Sequence, residues 1–299
     1  MTTGLIVKAL SGFYYVMPDD GGNIVQCRAR GVFKKRGITP LVGDRVTFEV
    51  ETTGEGTVTG IEPRTSELMR PPIANVDTAV LVFSIQEPAV SHLLLDRFLV
   101  HTELAGLTTI ICFSKKDLSS TGEEIAQAIS KYAAIGYEVY ATSSLQRDGV
   151  QELAERLAGH ISVFAGQSGV GKSTLLNAMI PGLQLETNEI SHKLGRGKHT
   201  TRHVELIRLP HGGWIADTPG FSQLDFQQVE PEELTRGFRE FLALSEDCKF
   251  RGCLHLTEPG CAVRQALDDG KLDPSRYEHY KLFLQEVKEA KDKRWRNPK

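Results

Sequence analysis

The segment GQSGVGKST, residues 166–174, has the spacing of a phosphate-binding loop. Gly166, Gly171, Lys172 and Ser173 fit the pattern G-x-x-x-x-G-K-[ST]. The glycines let successive backbone N–H groups face phosphate oxygens at the start of a helix. Lys172 is expected to reach the β- and γ-phosphates, and the Ser173 hydroxyl to coordinate Mg²⁺. We therefore predict a nucleoside triphosphate site that includes Gly166, Gln167, Ser168, Gly169, Val170, Gly171, Lys172, Ser173 and Thr174. The alternative is a glycine-rich turn in an unrelated α/β fold.

The tetrapeptide DTPG, Asp217 to Gly220, ends a predicted strand about fifty residues later. An aspartate there can hold Mg²⁺ through water, and the Gly220 amide can sense the γ-phosphate. Alone, D-x-x-G is usually a turn. The intervening polar segment GRGKHTTRH, residues 195–203, has the composition of a switch loop. Of its two threonines we choose Thr201 over Thr200, which predicts Ser173, Thr201 and Asp217 as magnesium ligands.

The residue after DTPG bears on the hydrolysis rate. Many GTPases place a glutamine there to orient the attacking water, whereas this chain has Phe221. A phenylalanine neither donates nor accepts a hydrogen bond, so we expect slow intrinsic hydrolysis. His199, beside the switch threonines, is our candidate for positioning the water, because an imidazole can accept its hydrogen bond near neutral pH. The alternative is that His199 contacts RNA or phosphate at the surface.

The segment SKKD predicts which base is bound. An aspartate carboxylate accepts hydrogen bonds from N1 and the 2-amino group of guanine, whereas adenine would leave it unpaired. Asp117 therefore selects GTP, and the aliphatic stem of Lys115 would cover the base. The segment TSS at the next strand end could supply a backbone contact to the guanine oxygen. The predicted guanine-binding residues are Ser114, Lys115, Lys116, Asp117, Thr142, Ser143 and Ser144. Taken alone, KKD would be interpreted as a solvated loop after a strand.

A cluster of cysteines near the end of the chain predicts a metal site. Cys248, Cys253, His255 and Cys261 follow the spacing C-x4-C-x-H-x5-C. Three thiolates and one imidazole form a closed tetrahedral set for a structural Zn²⁺, with no open catalytic position. Cys27 and Cys112 lie in predicted strands and are expected to be buried free thiols.

The elements that must position these residues fall into three groups. In residues 1–67, apolar and polar residues alternate with period two in short segments separated by turn residues, which predicts an OB-type β-barrel. The strand signal extends through IVQCRARGVF, residues 24–33, and Pro63, Pro71 and Pro72 suggest a linker. Residues 68–226 alternate between buried strands and amphipathic helices, which predicts a parallel sheet covered on both faces. Residues 227–299 read as a mainly helical zinc-binding domain.

The order of these motifs resembles a known family. SKKD, ATSS, GQSGVGKS, GKHTT and DTPG, followed by a Cys/His cluster, are similar to the circularly permuted GTPases that act on the small ribosomal subunit, the ribosome small-subunit-dependent GTPase A family. The resemblance covers essentially the whole chain. It implies an N-terminal OB barrel, a permuted GTPase domain and a C-terminal zinc domain, with GTP hydrolysis stimulated by the small subunit during its late maturation. Ser114 departs from the asparagine of most GTPases, which implies modest nucleotide affinity.

Composition is that of a soluble globular protein, and the net charge alone excludes no class of partner. The chain has 299 residues, 40% of them hydrophobic, and a net charge of −3. No apolar run is long enough to span a bilayer and the first residues lack the features of a signal peptide, so we expect a cytoplasmic protein without a membrane partner. Basic runs at 28–36 and 288–299, the latter around Trp295, suit 16S-type rRNA, although each alone could be a solvated surface. We expect a monomer.

Two other functions compete with a GTPase that couples nucleotide state to rRNA binding and release. One is a zinc-containing RNA-binding module whose nucleotide site only regulates binding, with negligible turnover. The other is a P-loop small-molecule kinase that uses ATP. SKKD and the basic flanks argue against the kinase, whereas Phe221 is compatible with the low-turnover module.

Overall fold

A computed structural model describes residues 2–52, 54–69, 72–119, 121–185, 204–217 and 224–296. The strands in these ranges are β1 Thr2–Leu10, β2 Phe13–Pro18, β3 Val25–Ala29, β4 Arg45–Val50, β5 Gly56–Ile61, β6 Glu67–Met69, β7 Pro72–Ala74, β8 Thr78–Ser84, β9 Thr108–Ser114, β10 Glu138–Ala141, β11 Ile161–Ala165, β12 Glu205–Arg208 and β13 Trp214–Asp217. The helices are α1 Gly31–Lys35, α2 His92–Leu104, α3 Glu123–Ala133, α4 Val150–Arg156, α5 Lys172–Met179, α6 Pro231–Leu234, α7 Arg239–Ser245, α8 Ala262–Asp268 and α9 Pro274–Arg296. Short 3₁₀ turns lie at Lys116–Leu118 and Thr235–Gly237.

The chain divides into two compact units. The first comprises Met1–Val80 and Ser143–Ser222, and the second comprises Leu81–Thr142 and Gln223–Lys299. Each unit is therefore built from two separate stretches of sequence. No described helix combines the length and the apolar character that a membrane span needs.

The first unit begins with a closed five-stranded barrel. Its strands follow the order β1-β2-β3-β5-β4, and β4 pairs again with β1. All pairs are antiparallel except β3 with β5. The side chains of Ile6, Val16, Val46, Phe48 and Val58 fill the interior and are fully buried. This five-stranded closure confirms the OB-type barrel.

Two local expectations for this region were wrong. Residues 31–33 are helical rather than extended, because the chain leaves β3 at Arg30 and turns into α1, where Phe33 is buried. The proline-rich segment is more than a linker, since β6 and β7 pair as an antiparallel ribbon. The buried Asp44 carboxylate accepts hydrogen bonds from Arg64 Nε and Nη2, each at 2.8 Å, which ties the segment leading into β6 to the barrel.

The remainder of the first unit carries the phosphate loop. β11 and β13 are parallel, and β12 pairs antiparallel with β13 and, through Lys8 and Glu205, with β1. The sequence did not predict β12, and its antiparallel direction departs from the expected all-parallel sheet. Only four residues long, it gives too short a pattern to detect.

The second unit combines most of β8 and all of β9 and β10 with helices α2 and α3 and with the C-terminal helices α6 to α9. β9 and β10 are parallel, and β9 is buried along nearly its whole length. The C-terminal helices share a core with α2 that includes Val100, Phe238, Phe241, Tyr280 and Phe283. This confirms a mainly helical C-terminal region around the cysteine cluster.

A buried charged network holds α2 and α9 together. Asp96 and Arg276 are almost completely inaccessible, and Arg276 Nη1 donates to Asp96 Oδ1 at 2.6 Å. Arg276 also pairs with Glu240 of α7, and Tyr132 and His279 contact the Asp96 carboxylate. Because removing one partner would leave a buried charge uncompensated, the network favours one packing of these helices.

Candidate nucleotide and metal sites

The phosphate loop connects a buried strand to a helix. β11 ends at Ala165, and α5 begins at Lys172. Gly166, Gly169 and Gly171 all have positive φ, at 147°, 80° and 92°, which residues with a Cβ rarely adopt. Ser173, in the first turn of α5, is buried. The glycines therefore occupy positions where the backbone adopts conformations that a residue with a Cβ would resist, as the phosphate-binding loop predicted from the sequence requires.

Lys172 lies folded over the loop that precedes it. Its Nζ donates to the carbonyl oxygens of Gly166 and Gln167, at 2.7 and 2.6 Å. Burial lowers the pKa of Lys172 to about 8. A partly desolvated ammonium at the start of a helix attracts a phosphate strongly, because few waters compete with the anion.

The SKKD segment forms a tight turn directly after β9. Ser114 is buried and its hydroxyl donates to the Phe83 carbonyl at 3.3 Å. Lys115 adopts the left-handed region, with φ 56°, and its Nζ donates to the Glu87 carbonyl. Lys116 N donates to the carbonyl of Thr142 at 3.1 Å, so the turn adjoins the end of β10 within the second unit. Lys116 and Asp117 are partly accessible.

The segment after Thr142 forms its own turn in the first unit. Ser143 and Asp148 exchange backbone hydrogen bonds, and Ser143 Oγ accepts from Gln146 N at 3.2 Å. Ser144 follows in this turn and is half-buried.

Several predicted residues lie outside the described ranges. His199, Thr200, Thr201, Gly220 and Phe221 are among them, and of Asp217 only the backbone is described, at the end of β13. Their assigned roles remain predictions.

The chain just beyond DTPG is anchored in the second unit. Arg97 Nη1 donates to the Leu224 carbonyl at 3.2 Å, and the same guanidinium forms a bidentate pair with Glu286 of α9. The Arg97 guanidinium also lies over the rings of Phe226 and Phe283, and His101 stacks on Phe226 at 4.8 Å. The segment that begins four residues after Gly220 is thus fixed between α2 and the long C-terminal helix.

The four predicted metal ligands meet in the second unit. The ligand atoms of Cys248, Cys253, His255 and Cys261 all lie within 4.8 Å of one another. His255 Nδ1 is 3.3 Å from Cys261 Sγ and 3.7 Å from Cys248 Sγ. Ligands around a tetrahedral Zn²⁺ are separated by about 3.5–3.8 Å, given the usual Zn–N and Zn–S bond lengths. The donor set and its spacing fit such an ion.

A serine fixes the orientation of the ligating histidine. Ser245 Oγ donates to the Phe241 carbonyl at 2.6 Å, so its lone pair is left to accept from His255 Nε2 at 3.3 Å. The proton of the imidazole therefore resides on Nε2, and the Nδ1 lone pair faces the sulfur atoms. Metal-ligating histidines commonly have such an outer partner.

The loop that carries His255 is held by side chains around it. The Glu258 carboxylate accepts from the backbone N–H groups of Leu254, Leu256 and Thr257, at 2.8–3.1 Å. Tyr277 OH donates to the His255 carbonyl at 2.6 Å. These bonds hold His255 at a φ of 55°, a strained conformation for this residue. Sequence reasoning missed Ser245 and Glu258, because hydroxyl and carboxylate partners have no fixed spacing from the ligands they support.

Together, the buried strand, glycine loop and α5 define a P-loop nucleotide-binding domain, and the SKKD motif, predicted to bind guanine, precedes the phosphate loop in the chain, as in the circularly permuted class of GTPases. A sequence model of the RsgA GTPase matches residues 61–227, and one of the RsgA N-terminal domain matches residues 3–58. The chain belongs to the RsgA family of GTPases.

Individual relatives span nearly the full length of the chain. The small ribosomal subunit biogenesis GTPase RsgA of Bacillus velezensis is 56% identical, over 97% of this chain and 99% of its own. The protein of the same name from Bacillus subtilis is 53% identical with the same coverage. Among solved structures, YloQ, a circularly permuted GTPase, is 45% identical with a TM-score of 0.85 and covers 100% of this chain and 97% of its own. YjeQ from Thermotoga maritima is 34% identical with a TM-score of 0.85, and the match covers 96% of this chain and 98% of its own.

Proposed function

We propose that this GTPase assists the late maturation of the small ribosomal subunit, binding the subunit and hydrolysing GTP with subunit-stimulated turnover. The observation that carries the proposal is the phosphate loop with its half-buried Lys172, in a chain whose full-length relatives are named small ribosomal subunit biogenesis GTPases. Nucleotide state controls binding to and release from rRNA.

The nucleotide roles follow the chemistry of each segment. The N–H groups of residues 166–174 hold the phosphates, Lys172 neutralises charge that develops in the transition state, and Ser173 ligates Mg²⁺. Asp217 and Thr201 complete the magnesium shell, and Gly220 senses the γ-phosphate. Ser114, Lys115, Lys116, Asp117 and the TSS segment, residues 142–144, bind guanine. His199 positions the attacking water in place of the glutamine that Phe221 replaces.

The metal cluster has a structural rather than a catalytic role. Cys248, Cys253, His255 and Cys261 would hold one Zn²⁺, which would cross-link the loop between α7 and α8 to the start of α8. When bound, the ion neutralises the thiolates and keeps the loop closed. We place the domain boundaries at residues 1–67 for the RNA-binding barrel, 68–226 for the GTPase domain and 227–299 for the zinc domain with its basic tail.

Coupling between nucleotide and RNA is supported by the anchor beyond DTPG. A conformational change at Gly220 on loss of the γ-phosphate would act only four residues before Leu224 in the chain. The Leu224 carbonyl accepts a hydrogen bond from Arg97, which in turn pairs with Glu286 of α9. The basic residues of the C-terminal helix would then change their engagement with rRNA. The protein acts as a cytoplasmic monomer.

Co-sedimentation with purified small ribosomal subunits tests this function. The chain should bind subunits at least tenfold more tightly with a non-hydrolysable GTP analogue than with GDP, and an ATP analogue should behave like no nucleotide. Equal binding in all four conditions would contradict the nucleotide-controlled cycle. His199→Ala should retain binding to the small subunit but lose subunit-stimulated hydrolysis of GTP, measured as phosphate release. Unchanged hydrolysis would exclude the catalytic role of His199.

A further inference from the structure

One contact joins the sheet of the barrel to the strands around the phosphate loop. β1 of the barrel pairs antiparallel with β12, and within the described residues the register of this pairing holds one pair of partners, Lys8 with Glu205. The side chains of the same two residues form an ion pair, with Lys8 Nζ 2.9 Å from Glu205 Oε2. We call this contact the β1–β12 joint. Both of its residues belong to the first unit, and neither has a role in the nucleotide or metal site.

The joint lies in line with the end of the strand that leads into DTPG. Glu205 is also the partner of Asp217 in the antiparallel pairing of β12 with β13. The backbones of Lys8, Glu205 and Asp217 therefore form one lateral row across three neighbouring strands. Because neighbouring strands lie about 4.8 Å apart, this row places β1 about 10 Å from the backbone of the predicted magnesium ligand.

On one side of the joint β1 and β12 move apart. Continuation of the antiparallel register would place Arg208 opposite Leu5, but the register of the described residues does not extend to this pair. Both residues instead line a cavity of about 250 Å³, together with Arg45 of the barrel and Trp214 of β13. Since this space is not filled by side chains, the spacing of β1 and β12 depends strongly on the contact at the joint.

The ion pair of the joint contributes little to folding. The side chains of Lys8 and Glu205 are 34% and 49% exposed, and ion pairs at such exposure add little stability. Neither side chain fills the apolar interior of the barrel, so the folded domains should tolerate replacement of either residue. Like charges in place of the pair repel at this distance, and the expected result is a wider spacing of the two strands.

We propose that Lys8 and Glu205 are positioning residues that couple the barrel to the nucleotide site through the lateral row. Loss of the γ-phosphate at the end of β13 changes the barrel, and a partner bound to the barrel changes the end of β13. Such coupling is reciprocal, so each site alters binding at the other by the same factor. The proposal rests on the proposed function for the identity of the partner, the small ribosomal subunit. It is independent of the connection from Leu224 to α9, which lies in the second unit.

Two charge reversals and their combination test the joint in co-sedimentation with small subunits. Lys8→Glu and Glu205→Lys each place like charges at the joint, yet they change the net charge of the chain in opposite directions. In both, the preference of subunit binding for a non-hydrolysable GTP analogue over GDP should fall from at least about tenfold to about twofold. The combined variant restores opposite charges and should regain the wild-type preference. GTP affinity and hydrolysis without subunits should be unchanged in all three variants.

The two single variants separate coupling from attraction to rRNA. If charge alone acted, Lys8→Glu would weaken binding with both nucleotides, Glu205→Lys would strengthen it, and the preference between nucleotides would stay at its wild-type value. That result would overturn the proposal. A combined variant that remains at about twofold would overturn it as well, because the restored ion pair should restore the coupling.

Amide hydrogen exchange of the full chain without subunits tests the joint apart from the proposed function. Exchange in β1, residues 2–10, should differ at least about threefold between the GTP analogue and GDP in the wild type and in the combined variant. The difference should be lost in Lys8→Glu and in Glu205→Lys. Equal exchange with both nucleotides in the wild type would overturn the proposal. If exchange behaves as expected while wild-type subunit binding is equal with both nucleotides, the coupling through the joint stands and the proposed function is refuted.

Discussion

Replacing Ser245 by alanine should weaken zinc binding by about fivefold to thirtyfold. In the wild-type protein His255 Nε2 donates to Ser245 Oγ at 3.3 Å, and His255 is 1% exposed. Without the hydroxyl, the metal-bound state retains a buried N–H with no acceptor, which costs about 1–2 kcal/mol. The metal-free state escapes most of this cost, because the imidazole can move its proton to Nδ1. The penalty therefore falls on the bound state, in the range seen for outer partners of metal ligands.

Competition between the reduced protein and a chromogenic zinc chelator measures this affinity, and Co²⁺ substitution reports the geometry through its absorption bands. Ser245→Thr retains the hydroxyl and should bind zinc like the wild type. Thr257→Ala, an exposed change in the same loop, controls for general loosening. Wild-type affinity in Ser245→Ala would refute the inferred Nδ1 coordination, as would an equal loss in the Ser245→Thr and Ser245→Ala variants.

Three further predictions concern the base, the phosphates and the helical core. Asp117→Asn should lower GTP affinity at least tenfold and admit xanthosine triphosphate, because an amide donates to the xanthine 2-oxygen; nucleotide competition measures this, and retained GTP preference would contradict the role of Asp117. Since burial holds the pKa of Lys172 at about 8 in the free protein, raising the pH above 8 removes its charge before the triphosphate binds. GTP affinity should therefore fall towards tenfold per pH unit, and the Lys172→Ala variant should lack this dependence in a titration. Asp96→Ala should destabilise the second unit by about 3–5 kcal/mol in urea unfolding, because Arg276 would keep only Glu240 as a partner; a loss below about 1 kcal/mol would argue against the network.

The sequence could predict features whose signal is local. The buried strand before Gly166, the glycine spacing of the loop and the cysteine spacing each depend on a few consecutive residues. The closed barrel was predicted as a fold class, without its strand pairing, because five short segments of alternating apolar and polar residues have few other ways to bury their apolar faces.

Features that depend on distant partners could not be predicted in this way. Asp96 and Arg276 are 180 positions apart, and nothing in either segment identifies the other. Ser245 precedes His255 by ten residues at the end of a different element. The helix at 31–35 was mistaken for strand because the apolar pattern continued past Arg30, while tertiary packing of Phe33 decided the local structure. Where packing outweighs local propensity, sequence pattern alone gives the wrong element.

Phosphate release from GTP in the presence of purified small ribosomal subunits tests the central claim most directly, with the wild type measured beside Lys172→Ala. Subunits should raise the wild-type rate at least tenfold with GTP, leave ATP unhydrolysed, and have no effect on the variant. A GTP rate that subunits do not change would contradict subunit-stimulated hydrolysis and favour a zinc-containing RNA-binding module whose nucleotide site only regulates binding. Equal hydrolysis of ATP would contradict guanine recognition by Asp117.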